Sequence, residues 1–179
     1  MRIISGQFKG RRIQAPKRLP VRPTTDMSKE ALFNILNNRF YFDELTVLDL
    51  YSGTGNISYE FASRGSDNII AVDIDFGCIN FINKTSEAFD MPIQAIKGDV
   101  IKYLENCNYK FNIIFADPPY NFTQDQFEAI PNLVYKNSLL EENGILIIEH
   151  SKHTDLSHTQ NFSMAKKYGG NVFSFFENM

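Results

Sequence analysis

Apolar residues along this chain fall into short, nearly continuous runs, separated by stretches with helical periodicity. The runs predict strands at about 46–51, 69–74, 93–97, 111–116 and 145–149. The stretches between them predict helices near 56–64, 76–89, 99–106 and 124–139. Strands that are apolar throughout, alternating with helices, imply a parallel sheet covered on both faces, an α/β doubly wound fold. Upstream, Arg2-Ile3-Ile4 and Arg12-Ile13-Gln14-Ala15 flank turn residues that include Gly6 and Gly10, so Met1 to about Pro23 reads as a short β-hairpin. Thr25 or Asp26 can cap a following helix whose apolar face carries Met27, Ala31, Ile35 and Leu36. Phe40-Tyr41-Phe42 directly precedes the first strand and reads as core. Met164–Lys167 and Val172–Phe176, around Gly169-Gly170, read as a closing hairpin. No internal repeat interrupts this order. The expected organisation is one compact unit, with a basic extension over 1–40 and the main α/β domain over 41–179.

Composition narrows the class. A chain of 179 residues, 43% hydrophobic and 22% charged, can bury one sizeable core without splitting. No apolar stretch approaches membrane-spanning length, and the N-terminus lacks the apolar core of a signal peptide, so no membrane is involved and a cytoplasmic location is expected. Cys78 and Cys107 fall in predicted helices and read as reduced thiols. His150, His153 and His158 cluster near the end of the fifth strand and read as solvent-facing loop residues rather than a metal site. The net charge of −3 conceals a strong asymmetry. Residues 1–40 carry Arg2, Lys9, Arg11, Arg12, Lys17, Arg18, Arg22, Lys29 and Arg39 against only Asp26 and Glu30, an excess of seven that leaves the remainder at −10. A local excess of cations is what a phosphate backbone requires, which makes Lys9, Arg11, Arg12 and Arg22 candidates for RNA contact.

The candidate chemistry sits at strand ends. Asp117-Pro118-Pro119-Tyr120 follows the apolar run Phe111–Ala116. Proline fixes φ and restrains its predecessor, so Asp117 and the neighbouring carbonyls hold a preset direction, while Tyr120 offers a stacking face. An exocyclic amino group of a base fits between Asp117, the Pro118 carbonyl and that ring. The plain alternative is a turn that ends a buried strand. Upstream, Asp49-Leu50-Tyr51-Ser52-Gly53-Thr54-Gly55 carries a strand through a glycine turn into a helix, a place where backbone can approach a ligand. The third glycine of a dinucleotide fingerprint would fall at Ser58, so a pyrophosphate reader is incomplete, and Asp49 points to a ligand with a positive amino group. Asp73 closes the next strand about 20 residues beyond Gly53, where an acid accepts hydrogen bonds from ribose hydroxyls. Asp99 closes the third strand, placed either to reach an adenine amino group or to cap the next helix.

In this order the set resembles a class I S-adenosylmethionine-dependent methyltransferase, and within it the RsmD family of bacterial 16S rRNA (guanine-N2) methyltransferases. Met1–Gly6, Lys9–Arg12, Arg22–Asp26, Glu30–Leu36 and Ser63–Gly65 also match that family's pattern. The resemblance implies a Rossmann-like sheet, mostly parallel with one antiparallel strand. It implies S-adenosyl-L-methionine bound by Asp49, Gly53, Gly55, Asp73 and Asp99, with no metal. It implies transfer to N2 of a guanine of the 966 type, in ribosomal RNA or an assembling small subunit, with Asp117, Pro118 and Tyr120 at the reacting amine and no obligate protein partner. Ile57-Ser58 stands where the family has Leu-Gly, and Asp73 where it more often has Glu; neither change removes a needed functional group. A DNA adenine-N6 methyltransferase uses the same strand-end motif, but its usual separate recognition domain has no room here. An inactive RNA-binding protein is the non-enzyme alternative, and the intact acid set weighs against it.

Overall fold

The apolar runs and the C-terminal hairpin join into one seven-stranded sheet in this computed structural model, which describes residues 1–22 and 24–178. Pro23, at the end of the expected hairpin segment, lies outside the described residues, as does Met179. The strands are β1 (Thr46–Leu50), β2 (Asn68–Asp73), β3 (Ile93–Lys97), β4 (Phe111–Ala116), β5 (Leu140–Ser151), β6 (Phe162–Tyr168) and β7 (Asn171–Glu177). The helices are α1 (Asp26–Asn37), α2 (Asn56–Ser63), α3 (Phe76–Phe89), α4 (Val100–Asn106) and α5 (Gln124–Lys136). The spatial order is β3-β2-β1-β4-β5-β7-β6. Only β7 runs against the others, being antiparallel to both β5 and β6.

Alternate residues of each central strand enter opposite cores, which is why these strands read as continuously apolar. Val47, Ile113, Phe115, Ile145 and Ile147 face the side covered by α1, α2 and the N-terminal segment. Leu48, Leu50, Ile114, Ala116, Leu146 and Ile148 face the side where Leu104 of α4 and Phe127 and Val134 of α5 pack. Strand order reverses between β1 and β4, so the loops after these two strands lie side by side: the Asp117 amide donates to the Leu50 carbonyl at 3.3 Å. In open α/β sheets that reversal forms the ligand crevice.

Several boundaries moved from expectation. The helix expected to 139 stops at Lys136, because Ser138 adopts φ 52 and turns the chain. β5 begins at Leu140 rather than 145; a bulge between Phe111 and Ile113 absorbs the polar Glu141-Glu142-Asn143, which hides the strand from an apolar pattern. The apolar face of α1 is Leu32, Phe33 and Leu36, whereas Met27 is 68% exposed and Ala31 and Ile35 only half-buried. Of Phe40-Tyr41-Phe42 only Phe42 is buried, and Tyr41 faces solvent. Cys107 lies just past α4 rather than within it.

The N-terminal segment crosses itself as expected but with a single antiparallel bridge, Arg2 to Arg12, rather than full strands. Its anchor is α2. The Glu60 carboxylate accepts from the Ile4 and Ser5 amides at 2.9 and 3.0 Å, and the Gln7 amide donates to the Ser63 carbonyl at 2.7 Å. Gly6 adopts φ +84, and a Cβ there would lie 1.8 Å from the Ser63 carbonyl oxygen, so no other residue fits. Lys29 does not belong to the basic surface: it is 1% exposed and forms a 3.2 Å ion pair with Glu60. Its ammonium also donates to the Arg2 carbonyl at 2.6 Å and Asn56 Oδ1 at 2.9 Å. Burial lowers its proton affinity, and Glu60 opposes that. No helix of the described residues is long and apolar enough to cross a membrane.

Candidate active site

A cavity of about 750 Å³ opens at the C-terminal ends of β1, β2, β3 and β4, a size at which small-molecule sites are found. Asp49, Gly53, Asp73, Asp99, Asp117, Pro118 and Tyr120 all line it, so the structure brings the predicted strand-end residues to one place. Its N-terminal wall is Pro20, Val21, Arg22 and Thr24.

The glycine turn is shaped by packing. Tyr51 sits at φ 55, an uncommon value for a side-chain-bearing residue, with its ring edge-on to Phe122 at 5.7 Å. Gly55 adopts φ +89 at the start of α2, and a Cβ there would lie 2.8 to 2.9 Å from Tyr59 and Ile82 atoms. Gly53 donates its amide to Asp73 at 2.8 Å, while the Asp75 amide donates to the other Asp73 oxygen at 2.8 Å. The acid of β2 is therefore held by both oxygens before any ligand arrives. Ser52 Oγ, in the same turn, is buried without a partner.

Ser58, the apparent departure from the fingerprint, has a definite task. Its hydroxyl donates to Asp49 at 2.6 Å in the fully covered space between β1 and α2. Burial pushes the Asp49 carboxyl up to about 7, the Ser58 hydrogen bonds pull it back, and Asp73 adds a small upward push. Asp99 combines both of its expected placements, since it lines the cavity and also accepts from the Lys102 amide at 2.9 Å as the cap of α4. Cys78 also lines the cavity, with its thiol pushed up to about 12, chiefly by burial.

At the other end of the cavity, Asp117 is raised well above the usual carboxylate range by burial, with Glu149 and then Asp49 adding like charge. Tyr120 stands at the mouth, 45% exposed, and its hydroxyl donates to Asn171 Oδ1 at 3.0 Å. Glu149, Asn171 and Thr24 belong to this surrounding and were not anticipated. The signal for Glu149 was present, because it is an acid ending an apolar strand run, as Asp49 and Asp117 are. His150 was misread as a solvent-facing loop residue. It is 2% exposed, its Nε2 lies 2.7 Å from Ser174 Oγ, and burial lowers its proton affinity. Among the described residues no group of three or more His, Cys, Asp or Glu side chains is placed to hold a metal ion.

The basic residues do not form one cluster at the mouth. Arg22 lines the cavity, but the loop carrying Lys9 and Arg11 lies against the far ends of α2 and α3, where Phe8 meets Ser63 Oγ at 2.9 Å and Arg11 stacks 5.9 Å from the Phe89 ring. α2 alone separates these ends by about 12 Å. Arg2 and Arg39 are paired with Asp26 and Glu177. Lys9, Arg11, Arg12, Lys17, Arg18 and Arg22, spaced along the N-terminal segment, are exposed and outside any ion pair among the described residues.

The sequence model of a family described as Conserved hypothetical protein 95 matches residues 1–177. YlbH of Bacillus subtilis, provisionally named an rRNA methyltransferase, is 34% identical over 164 residues, covering 89% of this chain and 87% of that protein. The Ribosomal RNA small subunit methyltransferase D of Haemophilus influenzae is 28% identical over 182 residues, covering 98% of this chain and 91% of that protein. Among solved structures, a provisional methyltransferase of Escherichia coli, YhhF, superposes with a TM-score of 0.86 at 25% identity, covering 99% of this chain and 97% of that one.

Proposed function

This chain belongs to the family described as Conserved hypothetical protein 95, the RsmD family of S-adenosylmethionine-dependent rRNA methyltransferases, and from that premise we propose that it methylates the exocyclic N2 of a guanine in 16S ribosomal RNA during small-subunit assembly in the cytoplasm. The observation that carries the reading is the convergence of the glycine turn, the acids of β1 to β3 and the Asp117–Tyr120 clamp on one cavity. Residues 1–40 then serve as the RNA-contact extension and 41–179 as the cofactor-binding domain.

The residues present fit the cofactor. Asp49 would face the amino group of its methionine part, Gly53 in the cavity wall would let backbone approach it with Gly55 shaping the same turn, and the unpartnered Ser52 hydroxyl would offer it a hydrogen bond. Asp73 takes the ribose hydroxyls on lone pairs left free by the two amides, and Asp99 lies toward the adenine. When bound, S-adenosylmethionine supplies an electrophilic methyl group on its sulfonium. Asp117 and the Pro118 carbonyl accept the two N–H bonds of the guanine amine, which turns the nitrogen lone pair out of conjugation with the ring. Tyr120 stacks on the base once it has been flipped out of the RNA. Asp117, whose proton affinity is already raised, then takes the proton that the alkylated nitrogen sheds. Positioning and preorganised acceptors supply most of the rate.

Modification mapping of 16S rRNA from cells with and without this chain tests the reading: one N2-methylguanine is expected to disappear, and an unchanged map overturns it. For the cofactor, Asp73→Ala is expected to weaken S-adenosylhomocysteine binding by about 1.5–3 kcal/mol, the range for hydrogen bonds to a charged group. Calorimetry that finds unaltered affinity removes Asp73 from the site. For RNA, replacing Lys9, Arg11 and Arg12 with alanine is expected to flatten the salt dependence of binding by roughly two to three units of log–log slope with cofactor affinity unchanged. An unaltered slope means that this basic arm is only a solvated surface.

A further inference from the structure

Glu149 is a carboxylate in the interior, 1% exposed, and among the described residues no Lys, Arg or His forms an ion pair with it. Burying an unpaired carboxylate is costly, and a neutral side chain would fill the space without that cost. Both of its oxygens are instead engaged by neutral donors. Thr24 Oγ1 donates to one at 2.7 Å, and Asn171 Nδ2 donates to the other at 2.7 Å. Asn171 is thereby fixed with its carbonyl oxygen turned outward, where it accepts the Tyr120 hydroxyl at 3.0 Å. At the tip of the clamp loop Pro119, Tyr120 and Asn121 are exposed; the loop is anchored at its far end by Phe122, whose ring meets Tyr51 and Phe127, while the Tyr120 hydroxyl is held by Asn171.

We propose that Glu149 is a positioning residue for methyl transfer, acting through Asn171 to hold the Tyr120 ring against the clamp. The inference rests on the methyl-transfer reading of the clamp. Thr24, two positions after Arg22 in the sequence, ties the same carboxylate to the N-terminal segment, so the arm and β7 meet at Glu149 of β5 and the clamp loop joins them through Asn171. The charged groups facing Asp117 are Glu149 of β5 and Asp49 of β1, and those facing Tyr120 are Glu149, Asp117 and Arg22. Burial raises the proton affinity of Glu149 itself, and the hydrogen bonds from Thr24 and Asn171 work against that in favour of the ionised form; where Glu149 is ionised, removing its charge lowers the proton affinity of Asp117. The acidic limb of the kcat–pH profile, which reports loss of ionised Asp117, then moves to lower pH.

The test uses the full chain with radiolabelled S-adenosylmethionine and unmethylated small subunits. Asn171→Ala and Tyr120→Phe are each expected to lower kcat by about 3- to 10-fold, the size of one hydrogen bond, without altering S-adenosylhomocysteine affinity. Because both cut the same tether, the double variant is expected to fall no further than about 2-fold below the worse single one. Glu149→Gln, which keeps an acceptor and loses the charge, is expected to shift the acidic limb to lower pH. Multiplicative losses in the double variant, or wild-type rates in both singles, overturn the tether. A Glu149→Gln enzyme with an unmoved limb overturns the charge. If Glu149→Gln does not fold, the Asn171–Tyr120 cycle decides alone. A wild-type chain that transfers no methyl defeats the underlying reading instead, so the two failures are distinct.

Discussion

Asp117→Ala is expected to lower methyl transfer to 16S rRNA by at least about 100-fold while S-adenosylhomocysteine affinity changes little, because the amine loses the acceptor that orients it and takes its proton. The selectivity of that loss is the point. Asp117 makes a backbone bond to β1, but among the described residues its side chain makes no hydrogen bond that holds the fold, and its carboxyl lies in a cavity wall with two like-charged neighbours. Removing it relieves repulsion rather than a structural contact, so the variant is expected to fold at least as well as the parent. Tyr120→Ala is expected to cost about 1–3 kcal/mol of transition-state stabilisation through lost stacking, and Tyr120→Phe less, since the ring remains. Single-turnover kinetics alongside calorimetry separate the two effects. Near-normal transfer by a folded Asp117→Ala chain would place the chemistry at other residues.

Lys29→Met is expected to lower the unfolding free energy by about 3 kcal/mol, the lower end of the range of about 3–5 kcal/mol for removing one partner of a buried ion pair. The lower end applies because Glu60 keeps Arg64, 3.0 Å away, and the amides of Ile4 and Ser5. The loss leaves the Arg2 carbonyl and Asn56 Oδ1 without the ammonium that joined them. The damage is therefore concentrated where the N-terminal segment meets α1 and α2. Denaturant unfolding gives the magnitude, and hydrogen exchange at Ile4 and Ser5 should quicken ahead of the sheet. A change below about 0.5 kcal/mol, the ordinary scatter of surface substitutions, would show that this ion pair does not anchor the arm.

Glu60 and Lys29 also mark where charge patterning misleads. Lys29 was one of nine cations in the first 40 residues and added to an apparent RNA-binding excess, yet it is spent inside the protein. A formal charge in a sequence does not say whether its partner is a phosphate or a carboxylate 31 residues away. The same blindness made His150 a loop residue and Met27 a core residue. Helical spacing identifies a face only up to a rotation, and for α1 the rotation was decided by where the sheet and the N-terminal segment happened to lie.

The sequence by itself determined the five parallel strands, their intervening helices and the closing hairpin, because continuous apolar runs and helical periodicity are local properties of the chain. It also determined that the strand-end acids and the Asp117–Tyr120 turn meet at one cavity, because fixed backbone at a strand terminus leaves few places for such side chains to go. What only the tertiary structure decided was the surroundings of those residues. Ser58 as the partner of Asp49, Glu149 and Asn171 behind the clamp, and Thr24 joining them to the arm are contacts between residues 9 to 125 positions apart. Hydrogen bonds over such separations follow from how strands are ordered and helices are packed, and no local pattern along the chain encodes them.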